Sequence, residues 1–173
     1  KQQVVDLPPK QRRLHPVDLS EGERTGFDHR VGLVLDDYRR RARLGEVRRD
    51  AEPLALLTSM RQIAAEFKLP AAQQLVESLR RQGEAVVLFS GFVAPLQLLQ
   101  QTIGGELLTG RQRPAERQVS VDRFQQGQND CLLATFGTGA LGFTLHRARH
   151  VVLLERPWTP GDLDQAEDRC HRL

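Results

Sequence analysis

Apolar residues along the chain keep two different rhythms, and the change falls near Gly83. Before it they recur at three- and four-residue intervals. Phe27, Val31, Val34, Leu35 and Tyr38 share one face of a helix that Ser20 and Glu23 open as an S-x-x-E capping box and that ends near Gly45. EPLALLTSMRQIAAEF predicts a second helix with Pro53 in its first turn, and LPAAQQLVESLRRQG a third, closed by Gly83. Beyond that glycine, short unbroken apolar runs alternate with helical segments. EAVVLFSGF reads as a buried strand, VAPLQLLQQTIGG as a helix, and ELLTG as a strand ending in a turn. RPAERQVSVDRFQQG is a helix with Pro114 near its start and Gly127 after its end; NDCLLATF and RHVVLLE are strands; TPGDLDQAEDRCHRL begins a final helix. Near the start, Leu14 and Val17 hint at a short extended segment. Strands separated by helices predict an α/β domain with a parallel sheet. Such sheets bind ligands at the carboxyl ends of their strands, where Ser90, Thr109–Arg111, Thr135–Gly142 and Glu155–Trp158 fall.

Composition narrows this modestly. With 39% hydrophobic and 27% charged residues, 173 residues suffice for one domain with an arm and an ordinary core. No apolar run approaches the ~18 residues of a membrane span, and the start does not resemble a secretion signal. The opening Lys1 predicts a piece of a longer protein, cytoplasmic by default. Cys131 and Cys170 lack neighbouring thiols, which argues against a Cys-based zinc site or a disulfide framework, and no metal site is expected. The net charge is +3, and only Lys1, Lys10 and Lys68 of the 25 basic residues are lysines. Arginine forks suit phosphates, but a genome rich in G and C produces the same bias. The run Arg39–Arg43 reads as a solvated helix end suited to the helix dipole.

TFGTGALGFTL contains Gly137-x-Gly139-x-x-Gly142, the spacing of a dinucleotide fold. Glu155 even supplies an acidic residue at the end of the next strand. Only eight residues, however, separate Gly142 from the strand near Val151, too few for the crossover helix that such a site needs. The glycines are better read as a loop that lets backbone approach a phosphate or a facing domain. In the last helix, Gln165, Asp168/Arg169 and Arg172 share a face, so a glutamine and two arginine forks point one way. The simpler reading is an exposed helix with an Asp168–Arg172 pair.

Taken together and in order, these segments resemble the C-terminal lobe of the Swi/Snf-type ATPases, helicase-like DNA translocases of superfamily 2. DLPPK resembles the segment joining the family's two lobes, and LLTSMRQIAAEF its arginine-bearing linker helix. AVVLFSGFVAPLQLL resembles motif IV, ELLTGRQRPAERQVSVDRFQ the strand, turn and helix after it, and LLATFGTGALGFTL motif V. ERPWTPGDLDQAEDRCHRL is similar to the Trp-containing stretch that runs into motif VI, where the family expects a further Gly-Gln after Leu173. The sequence departs from the family near Gly137, where an arginine is usual, at Ala140, where a glycine is, and at Thr144 and Thr159, where asparagines are.

The resemblance implies a RecA-like parallel sheet flanked by helices. Residues 1–71 would form an N-terminal helical arm leading to a first lobe, and residues 72–173 the second lobe, truncated at motif VI. It implies an arginine finger at Arg172 with Arg169 beside it, both reaching toward ATP that the first lobe holds with Mg²⁺. Gln165 would help place the attacking water or the nucleotide, and Gly142 and its loop would close against the nucleotide. Ser90, Gly110, Arg111 and Thr135 would meet the phosphates of one strand of double-stranded DNA. Trp158 reads as a packed anchor for the motif VI helix. The chain has no G-x-x-x-x-G-K-[ST] loop and no acidic Mg²⁺ box, so hydrolysis by the fragment alone is not expected, and a bacterial source would put the protein on the nucleoid. An RNA helicase lobe shares the sheet and the arginine pair, and a non-catalytic α/β binding module is the other alternative.

Overall fold

The computed structural model describes residues 9–47, 52–139 and 143–170. By its contacts the chain divides into two compact units: Pro16–Pro70, and residues 9–15 together with everything described from Ala71 onward.

In the first unit, α1 (Glu21–Arg43) starts as its sequence predicts. The Glu23 N–H donates to the Ser20 hydroxyl at 3.3 Å, and the Glu23 carboxylate accepts from the Ser20 N–H at 2.9 Å. Arg40, Arg41 and Arg43 occupy its last turn, where carbonyl oxygens favour positive charge. Helix α2 (Glu52–Phe67) packs along it. The predicted apolar face of α1 is the one turned inward, but only part way: Phe27, Val31, Val34, Leu35 and Tyr38 are half-buried, and no residue of α1 is fully buried.

The second unit is a sheet with helices. Helix α3 (Leu69–Arg81) runs into it and buries Ala72 and Val76. Strands β1 (Val86–Ser90), β2 (Glu106–Leu108), β3 (Cys131–Thr135) and β4 (His150–Leu153) form one parallel sheet in the order β2-β3-β1-β4. Between them lie α4 (Val93–Ile103), α5 (Pro114–Gln125) and the four-residue α6 (Phe136–Gly139), and α7 (Pro160–Cys170) follows β4. β1 is apolar up to its last residue and completely buried, as a central parallel strand covered on both faces must be. Val87, Phe89, Leu132, Ala134, Leu108 and Phe124 form the core with Ala166 of α7. Gly105 makes the tight entry to β2: its φ is +102°, and a Cβ there would sit 2.7 Å from the Cys131 carbonyl oxygen.

Two expectations need correction. Among the described residues no strand forms near Leu14 and Val17; Leu14 is 87% exposed and has no ladder to join. The third strand ends at Thr135, and Phe136, expected to continue it, opens α6 instead.

Candidate functional site

Parallel register brings the carboxyl ends of all four strands to one edge. Ser90 pairs with Thr135 in register, Leu108 with Ala134, and Phe89 with Leu153, while the Leu154 N–H donates to the Phe89 carbonyl at 3.0 Å. Candidates from segments far apart in sequence therefore meet along one line, the edge where parallel sheets bind ligands.

Their side chains are not equally available. Ser90, expected to meet a DNA phosphate, is fully buried; its hydroxyl lies 3.1 and 3.2 Å from the two Glu155 carboxylate oxygens and accepts from the Phe92 N–H at 3.0 Å. The Gly91 N–H also donates to Glu155, itself only 7% exposed. Ser90 is thus an internal tie between the ends of β1 and β4, because a buried carboxylate requires donors and this hydroxyl is one of them. Gly91 permits that approach: a Cβ there would come within 3.2 Å of the Glu155 carboxylate.

On the other side of β1, the turn after β2 is built to project. Thr109 is buried and its N–H donates to Gln112 Oε1 at 2.9 Å, while Gln112 Nε2 donates to the Leu107 carbonyl at 2.9 Å. This staple leaves Gly110 and Arg111 exposed at the tip, next to open space. Thr135 is half-buried, its hydroxyl 2.8 Å from that of Thr138. Thr138, 3% exposed, lies 2.9 Å from the Leu108 carbonyl oxygen and so ties the start of the glycine loop to β2.

The helix α7 has three faces, since successive residues rotate about 100°. Ala166 is buried in the core with Cys170 packed against it. Gln165, exposed, and Arg169, half-buried, stand one turn apart on a second face. Asp164, Glu167 and Asp168 form the third, and Lys10 and Arg12 pair with it. The Lys10 ammonium is held above its ordinary range, chiefly by its hydrogen bond to Asp168. Where β3 returns to β4, the Leu145 N–H donates to the Arg169 carbonyl at 2.8 Å, linking the segment after the glycine loop to the turn that carries the arginine. Arg172 and Gly142 lie outside the described residues. Trp158 is 55% exposed and is not the packed anchor expected from the sequence. The motif VI helix is instead capped by Thr159, whose hydroxyl accepts from the Asp162 N–H at 3.2 Å.

The sequence reading missed three contributors: Glu155 as the tie to Ser90 and Gly91, Thr138 under the glycine loop, and the pairing of Lys10 and Arg12 with α7. Glu155 was visible as a carboxylate ending a strand, but only the strand order puts it beside β1. Among the described residues no three His, Cys, Asp or Glu side chains converge as metal ligands, and no helix is long and apolar enough to cross a membrane.

Residues 68–173 match the family described as "Helicase conserved C-terminal domain". The Bacillus subtilis protein YwqA is 25% identical over 98% of this chain and 21% of its own length. Human chromodomain-helicase-DNA-binding protein 7 is 32% identical over 64% of this chain and 4% of its own. The chain therefore spans a small part of these relatives. Among solved structures, the C-terminal part of the Fun30 ATPase domain superposes with a TM-score of 0.73, covering 97% of this chain and 82% of that one at 17% identity. The Sulfolobus solfataricus SWI2/SNF2 ATPase core in complex with dsDNA gives 0.62, covering 90% and 36% at 18% identity. Both share the RecA-like fold of the C-terminal lobe.

Proposed function

Because the chain belongs to the helicase conserved C-terminal domain family, with relatives of the SNF2 type, we propose that it acts as the second lobe of an ATP-dependent double-stranded DNA translocase. In this reading residues 72–173 form the lobe, and residues 1–71 link it to a first lobe that binds ATP. The observation that carries it is α7, fastened through Ala166 to the core and through its acidic face to Lys10 and Arg12, with Gln165 exposed and Arg169 half-buried on the remaining face.

The residues of α7 supply groups suited to meet a nucleotide's phosphates across an interlobe cleft. In this reading Mg²⁺ and most of the ATP contacts belong to the first lobe. Arg169, with Arg172 following in sequence, supplies always-charged planar forks that match phosphate oxygens. Such forks stabilise the charge that builds during phosphoryl transfer, an effect of about 10³–10⁵ in rate for an arginine finger. Gln165, one turn before Arg169, has the amide needed to orient a water or a nucleotide. The segment after Gly142, bonded through Leu145 to Arg169, relays the state of the nucleotide to the DNA track. The DNA track itself consists of Gly110 and Arg111 at their exposed turn and Thr135 at the end of β3, groups that engage phosphates without reading sequence. Ser90 drops out of this set.

The test is Arg172→Ala in the protein that carries the ATP-binding lobe. DNA-stimulated hydrolysis falls by about 10³-fold or more while duplex binding persists. Undiminished turnover refutes the finger, and stimulation by RNA in place of duplex DNA redirects the lobe to the RNA helicases. ATP hydrolysis by the 173-residue chain alone, above contaminant level, would count against placing the nucleotide on the first lobe.

A further inference from the structure

We propose that Lys10 and Arg12 are positioning residues for α7: the segment 9–15 straps the acidic face of the helix and fixes the direction in which Gln165 and Arg169 are presented.

The contact is specific in geometry. Arg12 places Nε 2.9 Å from Glu167 Oε1 and Nη2 2.8 Å from Oε2, a two-bond fork on one carboxylate, and the same Nη2 lies 3.3 Å from Asp164. Lys10 bonds Asp168 and lies 3.6 Å from Glu167. The Glu167 side chain is only 12% exposed, so its pair is less screened than an ordinary surface pair. Lys10 and Arg12 are two positions apart in a segment without regular structure, so both reach the same side when the chain is extended. Asp164, Glu167 and Asp168 sit at helical spacing on α7.

The pairing joins residues 158 positions apart, so local chain stiffness does not produce it. Three acidic residues lie on one side of an 11-residue helix, where like charges at this spacing repel and a basic partner is favoured. Ala166 and Cys170 hold α7 against the core, and the Leu145 N–H bonds the Arg169 carbonyl near its end. Lys10 and Arg12 attach the helix on a further face, about 100° to 200° round from Ala166. The inference rests on the proposed function, in which orientation of the arginine decides rate through alignment at the phosphate.

Two measurements separate the strap from that function. In the 173-residue chain, Lys10→Glu/Arg12→Glu raises amide hydrogen exchange across α7 by about tenfold, the scale of several lost ion pairs, while β1 amides stay protected and report intact folding. Lys10→Gln/Arg12→Gln gives a smaller rise, and Arg12→Glu combined with Glu167→Arg recovers protection. In the protein with its ATP-binding lobe, Lys10→Glu/Arg12→Glu lowers DNA-stimulated kcat by about tenfold, with KM for ATP and duplex affinity within about twofold. Unchanged α7 exchange overturns the strap. Raised exchange with unchanged kcat overturns the positioning role. A wild-type protein without hydrolysis refutes the proposed function, and the exchange experiment still decides whether the strap holds.

Discussion

The two units solve the same packing problem to different depths. In the sheet unit all five residues of β1 are buried, and Phe89 stacks on Phe136 with ring centroids 5.9 Å apart. In the helical unit, 23 residues of α1 bury none. There, an edge-on Phe27–Phe67 pair at 5.5 Å and ion pairs Arg30–Glu66 and Arg41–Glu52, at 2.7 and 2.8 Å, supply the specific contacts. A groove of about 310 Å³ remains between its helices, lined by Leu33, Val34, Ile63 and Glu66 among others. The candidate chemistry lies wholly on the tightly packed unit. A buried frame can hold Ser90 on Glu155 or Thr138 near the Leu108 carbonyl to within a hydrogen bond, which a half-exposed helix pair cannot do for a reacting group.

The largest test of this contrast is Phe89→Ala, expected to cost about 3–5 kcal/mol because the site is fully buried and flanked by other core side chains. Cys131 gives a readout confined to the sheet. Burial pushes its thiol up to about 12, so native protein reacts slowly with thiol reagents even as pH rises through the ordinary thiol range. Labelling then requires the sheet to open, and Phe89→Ala accelerates it steeply. Phe67→Ala removes the ring beneath Phe27 and Arg30 and is expected to cost about 2 kcal/mol, less because the site is only half-buried. It lowers helicity without hastening Cys131 labelling. Equal acceleration by both variants would mean that the two units open as one.

The same contrast governs what could be read from the sequence. Elements declared themselves wherever burial was complete, as in the unbroken run of β1 between Gly83 and Gly91, or where a cap wrote its own signature, as at Ser20 and Glu23. Motif spacing found α7, but grouped Asp168 with Gln165 and Arg169, whereas Asp168 turns with Glu167 toward Lys10. Ser90 was misjudged because its partner, Glu155, is 65 positions away and becomes a neighbour only through the order β3-β1-β4. Trp158 was misjudged because size favours burial on average, whereas this ring lies in the coil leading to α7. The strap was invisible for a similar reason: two basic residues near the start carry no local sign that their partners lie near the end.

Smaller effects sharpen the description of the helical unit. Ser20→Ala removes the oxygen that caps α1 and is expected to cost about 1 kcal/mol. In the wild type the Glu23 carboxyl is held below its ordinary range, first by the Ser20 hydroxyl and then by the Ser20 N–H. A depressed carboxyl stabilises the fold above its unfolded value and loses that contribution as pH falls through the folded one. Helicity of the wild type therefore declines on acidification below the ordinary carboxylate range, and Ser20→Ala flattens that decline. An unchanged acid profile would assign the capping effect to the hydroxyl alone.

The smallest expected effect asks what Arg30 contributes. It bonds Glu66 at 2.7 Å and also lies 5.8 Å from the Phe67 ring centroid, with its side chain 44% exposed. An exposed ion pair contributes about 0.5 kcal/mol and fades in salt, whereas packing of the arginine stem and plane on a ring does not depend on ionic strength in the same way. Arg30→Met keeps an apolar stem of similar reach and removes the charge. Denaturation at low salt should then show a loss near 0.5 kcal/mol that disappears toward ~1 M salt. If the loss persists undiminished, the ring contact and not Glu66 is what Arg30 serves. The helical unit would then depend on Phe67 for its contacts with both Phe27 and Arg30, which brings its packing closer to that of the sheet than burial alone suggests.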